Sequence, residues 1–180
     1  GVRMLQALGL EVALISGDHQ QATAEVATKL GINNYYYGVL PDKKAQILQE
    51  LKAKYGKIAM VGDGINDSVA LARADIGMAM ASGTQIAISS ADIVLMKSDL
   101  RDVALAIYLS KKTIKNIKEN LFWAFGYNII GLPLAAGLFF PFFGLLLNPM
   151  IAALAMAFSS VSVVLNALRL KRLSLNKKLN

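Results

Sequence analysis

From Leu121 to Leu168 the chain contains no Asp, Glu, Lys, Arg or His. An uncharged stretch of that length must be covered by other protein or by lipid, because about 20 consecutive apolar residues suffice to span a bilayer core as a helix. Pro141 and Gly144 interrupt the stretch, and Asn148-Pro149 marks a new helix start. The sequence therefore predicts two apolar helices, Leu121 to Phe140 and Met150 to Leu168, joined by an apolar turn. Trp123 lies near the first boundary, where an interfacial anchor belongs. The alternative is a soluble hairpin, but the rest of the chain makes too small a domain to cover both helices.

The charges agree with a membrane hairpin. The net charge of +7 could suggest a nucleic-acid partner, but its distribution excludes one. Residues 1–110 hold 10 Lys or Arg against 11 Asp or Glu. The excess sits in two clusters, Lys111, Lys112, Lys115 and Lys118 before the apolar stretch, and Arg169, Lys171, Arg172, Lys177 and Lys178 after it. No carboxylate follows Glu119. Basic clusters at both ends of an apolar hairpin are the pattern of a segment whose two ends lie on the cytoplasmic side. A pair of solvated basic faces is the bland alternative. There is no cysteine, which removes disulfides and thiolate metal sites from this sequence. The opening GVRMLQALGLEV reads as the middle of a protein, so the chain is expected to be a fragment.

Before the basic cluster, short apolar runs alternate with helical periodicity. Val12 to Ser16, Tyr35 to Leu40, Lys57 to Val61, Asp75 to Met80 and Asp92 to Met96 read as strands. His19 to Leu30 is a helix stopped by Gly31, Pro41-Asp42 opens another running to about Lys54, and a third covers about Asn66 to Arg73. Leu100 to Glu119 is a long helix that leads to the apolar stretch. Alternation of this kind builds a parallel sheet with helices on its faces, whose chemistry sits at the C-terminal strand ends. Asp18 and Asp63 fall at two such ends.

Three segments suit a phosphoryl group. Ser16-Gly17-Asp18 offers a hydroxyl and backbone N–H groups at a strand end, though an ordinary turn has the same composition. Lys44, three residues after Pro41, can neutralise phosphate charge or be a plain surface lysine. Gly62-Asp63-Gly64-Ile65-Asn66-Asp67 sets two carboxylates and an amide on one tight turn. Mg²⁺ takes oxygen ligands of this type together with waters and a substrate phosphate. An Asx turn capping a helix at Asn66 is the structural alternative, and it leaves Asp63 without a role.

These motifs carry a resemblance. GDGINDSVALARADIGMAM resembles the hinge motif of P-type ATPases, cation pumps built on a haloacid-dehalogenase-like phosphorylation domain. ISGD resembles their TGD motif, with Ser16 for the usual Thr, and PDKK their P-x-x-K motif. The resemblance implies Asp63 as Mg²⁺ ligand, with Asp67 and Asn66 supporting metal and phosphate. It implies Lys44, Ser16, Gly17 and Asp18 around the phosphate. The DKTGT motif, whose Asp accepts the γ-phosphate of ATP, is absent. The nucleophile and the nucleotide-binding and actuator domains are thus expected upstream, and the fragment is expected to be inactive alone.

The apolar helices carry polar residues, which in a membrane face a bundle interior or a pathway. Tyr127-Asn128 lie on the first, and Met156, Ser159, Ser160, Ser162 and Asn166 on the second. Without acidic, His or Cys ligands, a thioether with neutral oxygens favours a soft monovalent ion such as Cu(I). Met also fills gaps in apolar helices, and membrane serines bond back to their own helix. YNIIGLPLAAG and MAFSSVSVVLNALRL are similar to the last two membrane helices of the Cu(I)-exporting heavy-metal P-type ATPases. That resemblance implies copper-site roles for Tyr127, Asn128, Met156 and Ser160, with Ser159 second.

The expectation is a partial haloacid-dehalogenase-like α/β domain with linker helix (1–119), a two-helix transmembrane hairpin (120–168) and a basic cytoplasmic tail (169–180). The implied activity is ATP-driven export of Cu(I) or Ag(I) across the cell membrane, with the phosphorylation domain cytoplasmic. Implied associates are Mg²⁺, ATP, lipid, the upstream domains and a copper chaperone or small-molecule copper donor. Rivals are a membrane-anchored phosphatase of the same superfamily, a pump for another heavy metal, and a non-catalytic truncated regulator.

Overall fold

The computed structural model describes residues 1–137, 140–144 and 149–171. The chain divides into two compact units, Gly1–Ala106 and Ile107–Asn180.

The first unit alternates helix and strand. Its elements are α1 (Val2–Ala7), β1 (Ala13–Ile15), α2 (Gln20–Leu30), β2 (Asn34–Tyr36), α3 (Pro41–Tyr55) and β3 (Ala59–Gly62). They continue with α4 (Ser68–Arg73), β4 (Ile76–Met80), α5 (Gln85–Ser89) and β5 (Ile93–Leu95). The boundaries follow local chemistry. Gly31 closes α2 in the left-handed conformation, φ 67°, and its N–H returns to the Ala27 and Thr28 carbonyls. Pro41 sits in the first turn of α3, where its missing N–H costs nothing.

All strand pairs are parallel, as the alternation requires. They do not form one sheet, however. β1 pairs with β2, while β3, β4 and β5 form a separate sheet in that order. The registers align Leu14 with Tyr35 and Val61 with Met78. β1 and β3, the strands that end at Asp18 and Asp63, each pair on one side only among the described residues. Two carboxylates extend the ladders as backbone acceptors. Asp75 Oδ2 takes the Ile58 N–H at 2.9 Å and Asp92 Oδ2 takes the Gly77 N–H at 2.8 Å. The hydrogen bond from Lys52, then that from the Ile58 N–H, holds the Asp75 carboxyl below the usual range.

The core is small and aliphatic. Leu48, Leu71, Met78 and Val103 are its largest fully buried side chains. Val2, Ala27 and Ile32 form a cluster with Val12 and Leu14 packed on it. The opening GVRMLQA, for which no element was expected, is the helix α1, and Val2 is why it packs.

The long helix departs from expectation in extent. Leu100 to Glu119 was expected as a linker helix continuing into an apolar helix from Leu121 to Phe140. The two form one continuous helix, α6 (Leu100–Ala135), because nothing between Glu119 and Leu121 breaks a helix. Asp99 starts it, accepting the Arg101 N–H at 2.8 Å. The side chain of Arg101 also donates to Asp99, and the carboxyl falls to about 2. Pro133 lies inside the helix. A short α7 (Phe140–Phe143) and α8 (Pro149–Lys171) follow, the latter beginning at the expected Asn148-Pro149.

Within the second unit α6 and α8 are joined by an amide network. The Asn116 side chain donates to the Asn166 carbonyl at 2.8 Å, and the Asn166 side chain donates to Asn120 Oδ1 at 2.9 Å. Arg169 donates to Asn166 Oδ1 at 3.0 Å. Asn116 and Asn166 are buried, so this network fixes the register of the two helices. Among the described residues, no helix is long and apolar enough to cross a membrane. Leu145 to Asn148 and the basic tail from Arg172 lie outside the described residues.

Candidate functional site

Asp63 ends β3 and stands exposed at the C-terminal edge of its sheet. Its carboxylate has no hydrogen bond or ion pair to protein among the described residues. Its carbonyl is engaged, accepting the Thr84 N–H at 2.9 Å. The backbone therefore fixes the residue while the side chain stays available.

Asp67 is its opposite. It is buried at 8% exposure, at the end of a 3₁₀ turn over Ile65–Asp67 that precedes α4. Lys44, from the first turns of α3, donates to Asp67 Oδ1 at 2.6 Å. The two side chains are 14% and 12% exposed. A charge-assisted bond this short and this shielded fixes both groups. Gly62 permits it, since a Cβ there would lie 2.7 Å from the Asp67 Cβ. Asn66, expected to support metal and phosphate with a helix cap as the alternative, is exposed within the 3₁₀ turn, and α4 begins two residues later at Ser68.

The Ser16-Gly17-Asp18 turn is built from its own atoms. The Ser16 hydroxyl donates to Asp18 Oδ2 at 2.9 Å and accepts the Asp18 N–H at 3.1 Å. The β2 side braces it, Gly38 N–H reaching the Asp18 carbonyl and Val39 N–H the Ser16 carbonyl. The structure thus brings Lys44, Gly62, Asp63 and Asp67 together. Ser16, Gly17 and Asp18 make no hydrogen bond or ion pair to that group among the described residues.

Two contributors escaped sequence reading. The Gly83-Thr84 turn after β4 supports Asp63 from beneath. A Cβ on Gly83 would lie 2.6 Å from the Asp63 carbonyl oxygen and 2.9 Å from that of Met80. Thr84 both donates its N–H to Asp63 and caps α5, accepting the Ala87 N–H at 3.3 Å. The signal was present, because Ser82-Gly83-Thr84 at a strand end has the composition of Ser16-Gly17-Asp18. Gly83→Ala is expected to displace the Asp63 loop backbone, since no flexible side chain can yield. Circular dichroism melts would fall, and ¹⁵N shifts of Gly62 to Gly64 would move while those of α2 would not.

The donor set suits Mg²⁺. Asp63 supplies a free hard carboxylate, and the cation requires only one or two of these beside water and phosphate oxygens. Asp67 is not equivalent, since one of its oxygens is already held by Lys44. No cluster of three His, Cys, Asp or Glu side chains occurs among the described residues.

In the second unit, Tyr127 lies half-buried on α6 with its ring 6.2 Å from that of Trp123. The Asn128 amide donates to the Ala124 carbonyl of its own helix at 2.8 Å, which leaves its oxygen as acceptor. Met156, Ser159 and Ser160 lie on α8, and the Met156 side chain is outside the described residues.

A parallel α/β unit with a free carboxylate and a shielded Lys–Asp pair at one strand end has groups that can hold a divalent cation beside a phosphate. The haloacid dehalogenase-like hydrolase family matches residues 1–75, which hold Ser16, Lys44, Asp63 and Asp67. Over nearly the whole chain the similarity is narrower. The probable copper-transporting ATPase PacS of Synechocystis is 53% identical over 95% of this chain. The silver exporting P-type ATPase of Salmonella typhimurium is 50% identical over 98%. The crystal structure of a zinc-transporting PIB-type ATPase in the E2.Pi state matches with a TM-score of 0.79 at 35% identity, covering 94% of this chain and 26% of that one. The chain belongs to the heavy-metal P-type ATPase family, and it spans 23% and 21% of the length of those two relatives.

Proposed function

We propose that this chain is part of a longer P-type ATPase that exports Cu(I) or Ag(I) at the expense of ATP. The observation that carries the reading is the free Asp63 carboxylate beside the shielded Lys44–Asp67 pair. In this reading Asp63 holds Mg²⁺, which supplies charge neutralisation at the phosphate oxygens. Lys44, oriented by Asp67, donates to a phosphate oxygen, and the Ser16 turn presents its N–H groups to another. The nucleophile comes from upstream. The unpaired edges of β1 and β3 suit a further parallel strand, whose C-terminal end would then bring the phosphorylated Asp beside Asp18 and Asp63.

The two apolar helices form a membrane hairpin with both ends cytoplasmic. Support comes from the uncharged stretch, the flanking basic clusters and the amide network that joins α6 to α8. Asn120 meets Asn166. Seven residues further along α6 is Tyr127, and seven back along α8 is Ser159, so each is about 10.5 Å deeper at the helical rise. Tyr127, Asn128, Ser159 and Ser160 then share one depth, with Met156 one turn beyond. Thioether and neutral oxygens at that level favour a soft monovalent ion. The matched structure is that of a zinc-transporting ATPase, but Leu121 to Leu168 holds no acidic, His or Cys ligand for a divalent ion.

Cu(I) competition against a chromogenic chelator, with the chain in detergent, tests the assignment. Asn128→Ala and Met156→Ala are each expected to weaken binding by more than the roughly tenfold that loss of an outer-shell partner costs. Ser162→Ala, whose hydroxyl bonds the Phe158 carbonyl of its own helix, is expected to bind normally. Unchanged binding in the first two variants would remove the copper site from these helices.

A further inference from the structure

The base of the α6–α8 hairpin holds a cleft that phosphoryl transfer and metal binding leave unused. It is open to solvent, with a volume of about 530 Å³, and its walls include Lys115, Lys118, Arg169, Phe122 and Trp123. Three cations face it against one carboxylate, Glu119, whose ion pairs to Lys115 and Arg169 are long, at 3.9 and 3.8 Å. No described carboxylate pairs with Lys118. Arg169 is steered there by its hydrogen bond to buried Asn166, part of the network that locks the helices together. The guanidinium is thus held by the fold while its side chain stays 74% exposed.

Directly beyond the cations lie two exposed aromatic rings. Phe122 is 69% and Trp123 48% exposed, and the rings meet edge to face with centroids 5.5 Å apart. Excess positive charge beside exposed aromatic surface is a two-part recognition element. The charges suit a phosphodiester, and the rings suit the glycerol and first methylenes of an acyl chain. A free phosphate would use the charges and leave the aromatic wall idle.

The geometry points to a binding site for one anionic phospholipid, its phosphate between Lys118 and Arg169 and its chains along Phe122 and Trp123. The inference rests on the membrane reading of the hairpin. A lipid there would tie α6 to α8 beside the Asn116–Asn166 network, since Asn166 itself lines the cleft, and would make the hairpin responsive to membrane charge.

Trp123 is the sole tryptophan, so its fluorescence reports on the cleft alone. The full chain is reconstituted in phosphatidylcholine bilayers doped with acyl-brominated phosphatidylglycerol or acyl-brominated phosphatidylcholine. Brominated phosphatidylglycerol is expected to quench at a several-fold lower mole fraction. Lys118→Gln, which removes no observed bond, is expected to cut that preference about fivefold, the contribution of one basic residue near an anionic surface. Arg169→Gln should act similarly. Equal quenching by both lipids would overturn the site while leaving the chain in the membrane. Quenching by neither would overturn the membrane reading itself. Competition by soluble glycerol phosphate at matched concentration would overturn the lipid assignment in favour of a simple phosphate site.

Discussion

Lys44→Met is expected to lower the stability of the first unit by about 3 kcal/mol, the scale on which stranding one partner of a shielded ion pair acts. The pair spans 2.6 Å with both side chains largely covered, so Asp67 would be left charged, buried and without its donor. It also joins α3 to the turn before α4, so its loss loosens the packing of two helices at the site. Against a typical total of about 5–15 kcal/mol the effect is large. Urea denaturation checks it, and the Lys44→Met/Asp67→Asn double variant gives the mechanism. Removing the second charge is expected to recover part of the loss, because the penalty comes from the stranded carboxylate. A shift below about 0.5 kcal/mol, as for an exposed pair, would mean that Lys44 is an ordinary surface lysine.

Asp63→Ala is expected to do the reverse, leaving stability within about 0.5 kcal/mol while removing the chemistry. Its carboxylate has no protein partner among the described residues, and its contact with Thr84 is made by the backbone. In the longer ATPase proposed above, the substitution is expected to lower ATP turnover about 10³-fold or more. That corresponds to the several kcal/mol a metal contributes at a phosphoryl oxygen. Steady-state ATP hydrolysis at saturating Mg²⁺, read beside a thermal melt, separates the outcomes. Unimpaired turnover would remove Asp63 from the metal site, and a collapsed melt would make the residue structural. Lys44→Met and Asp63→Ala therefore bracket the site, one acting through the fold and one without touching it.

Much of this architecture was legible in the residues. Alternating strands and helices, the Gly31 stop and the Pro41 start were readable because each follows from local backbone chemistry. The free carboxylate at Asp63 and the tight turn around it were readable from the glycines on both sides. What stayed hidden depended on distance in sequence. Nothing local says that Lys44 and Asp67, 23 residues apart, form a shielded pair. Nothing local says that Gly83 must lack a side chain because the Asp63 carbonyl occupies its space. The division of the strands into two sheets was equally hidden, since strand runs show that edges exist and not which edges meet. The continuity of α6 was legible in principle, as no breaker separates its charged and apolar parts, but the abrupt change in composition suggested a boundary.

The amide network at the hairpin base makes the same point. Asn166 reads in the sequence as one polar residue on an apolar helix, and only the fold joins it to Asn116 and Asn120 as a register lock. In the membrane hairpin proposed above, that lock would set the Tyr127-Asn128 pair at the level of Ser159-Ser160.

The central claim is that a Mg²⁺-dependent phosphorylation domain and a soft-metal site occur in one transport machine. ATP hydrolysis by the longer ATPase proposed above, measured in detergent across Cu(I), Ag(I), Zn²⁺, Cd²⁺ and Ca²⁺ beside Met156→Ala and Asp63→Ala, tests it most directly. Stimulation by Cu(I) and Ag(I) only, lost in both variants, is the expected result; stimulation by a divalent ion, or full activity in Met156→Ala, would contradict it.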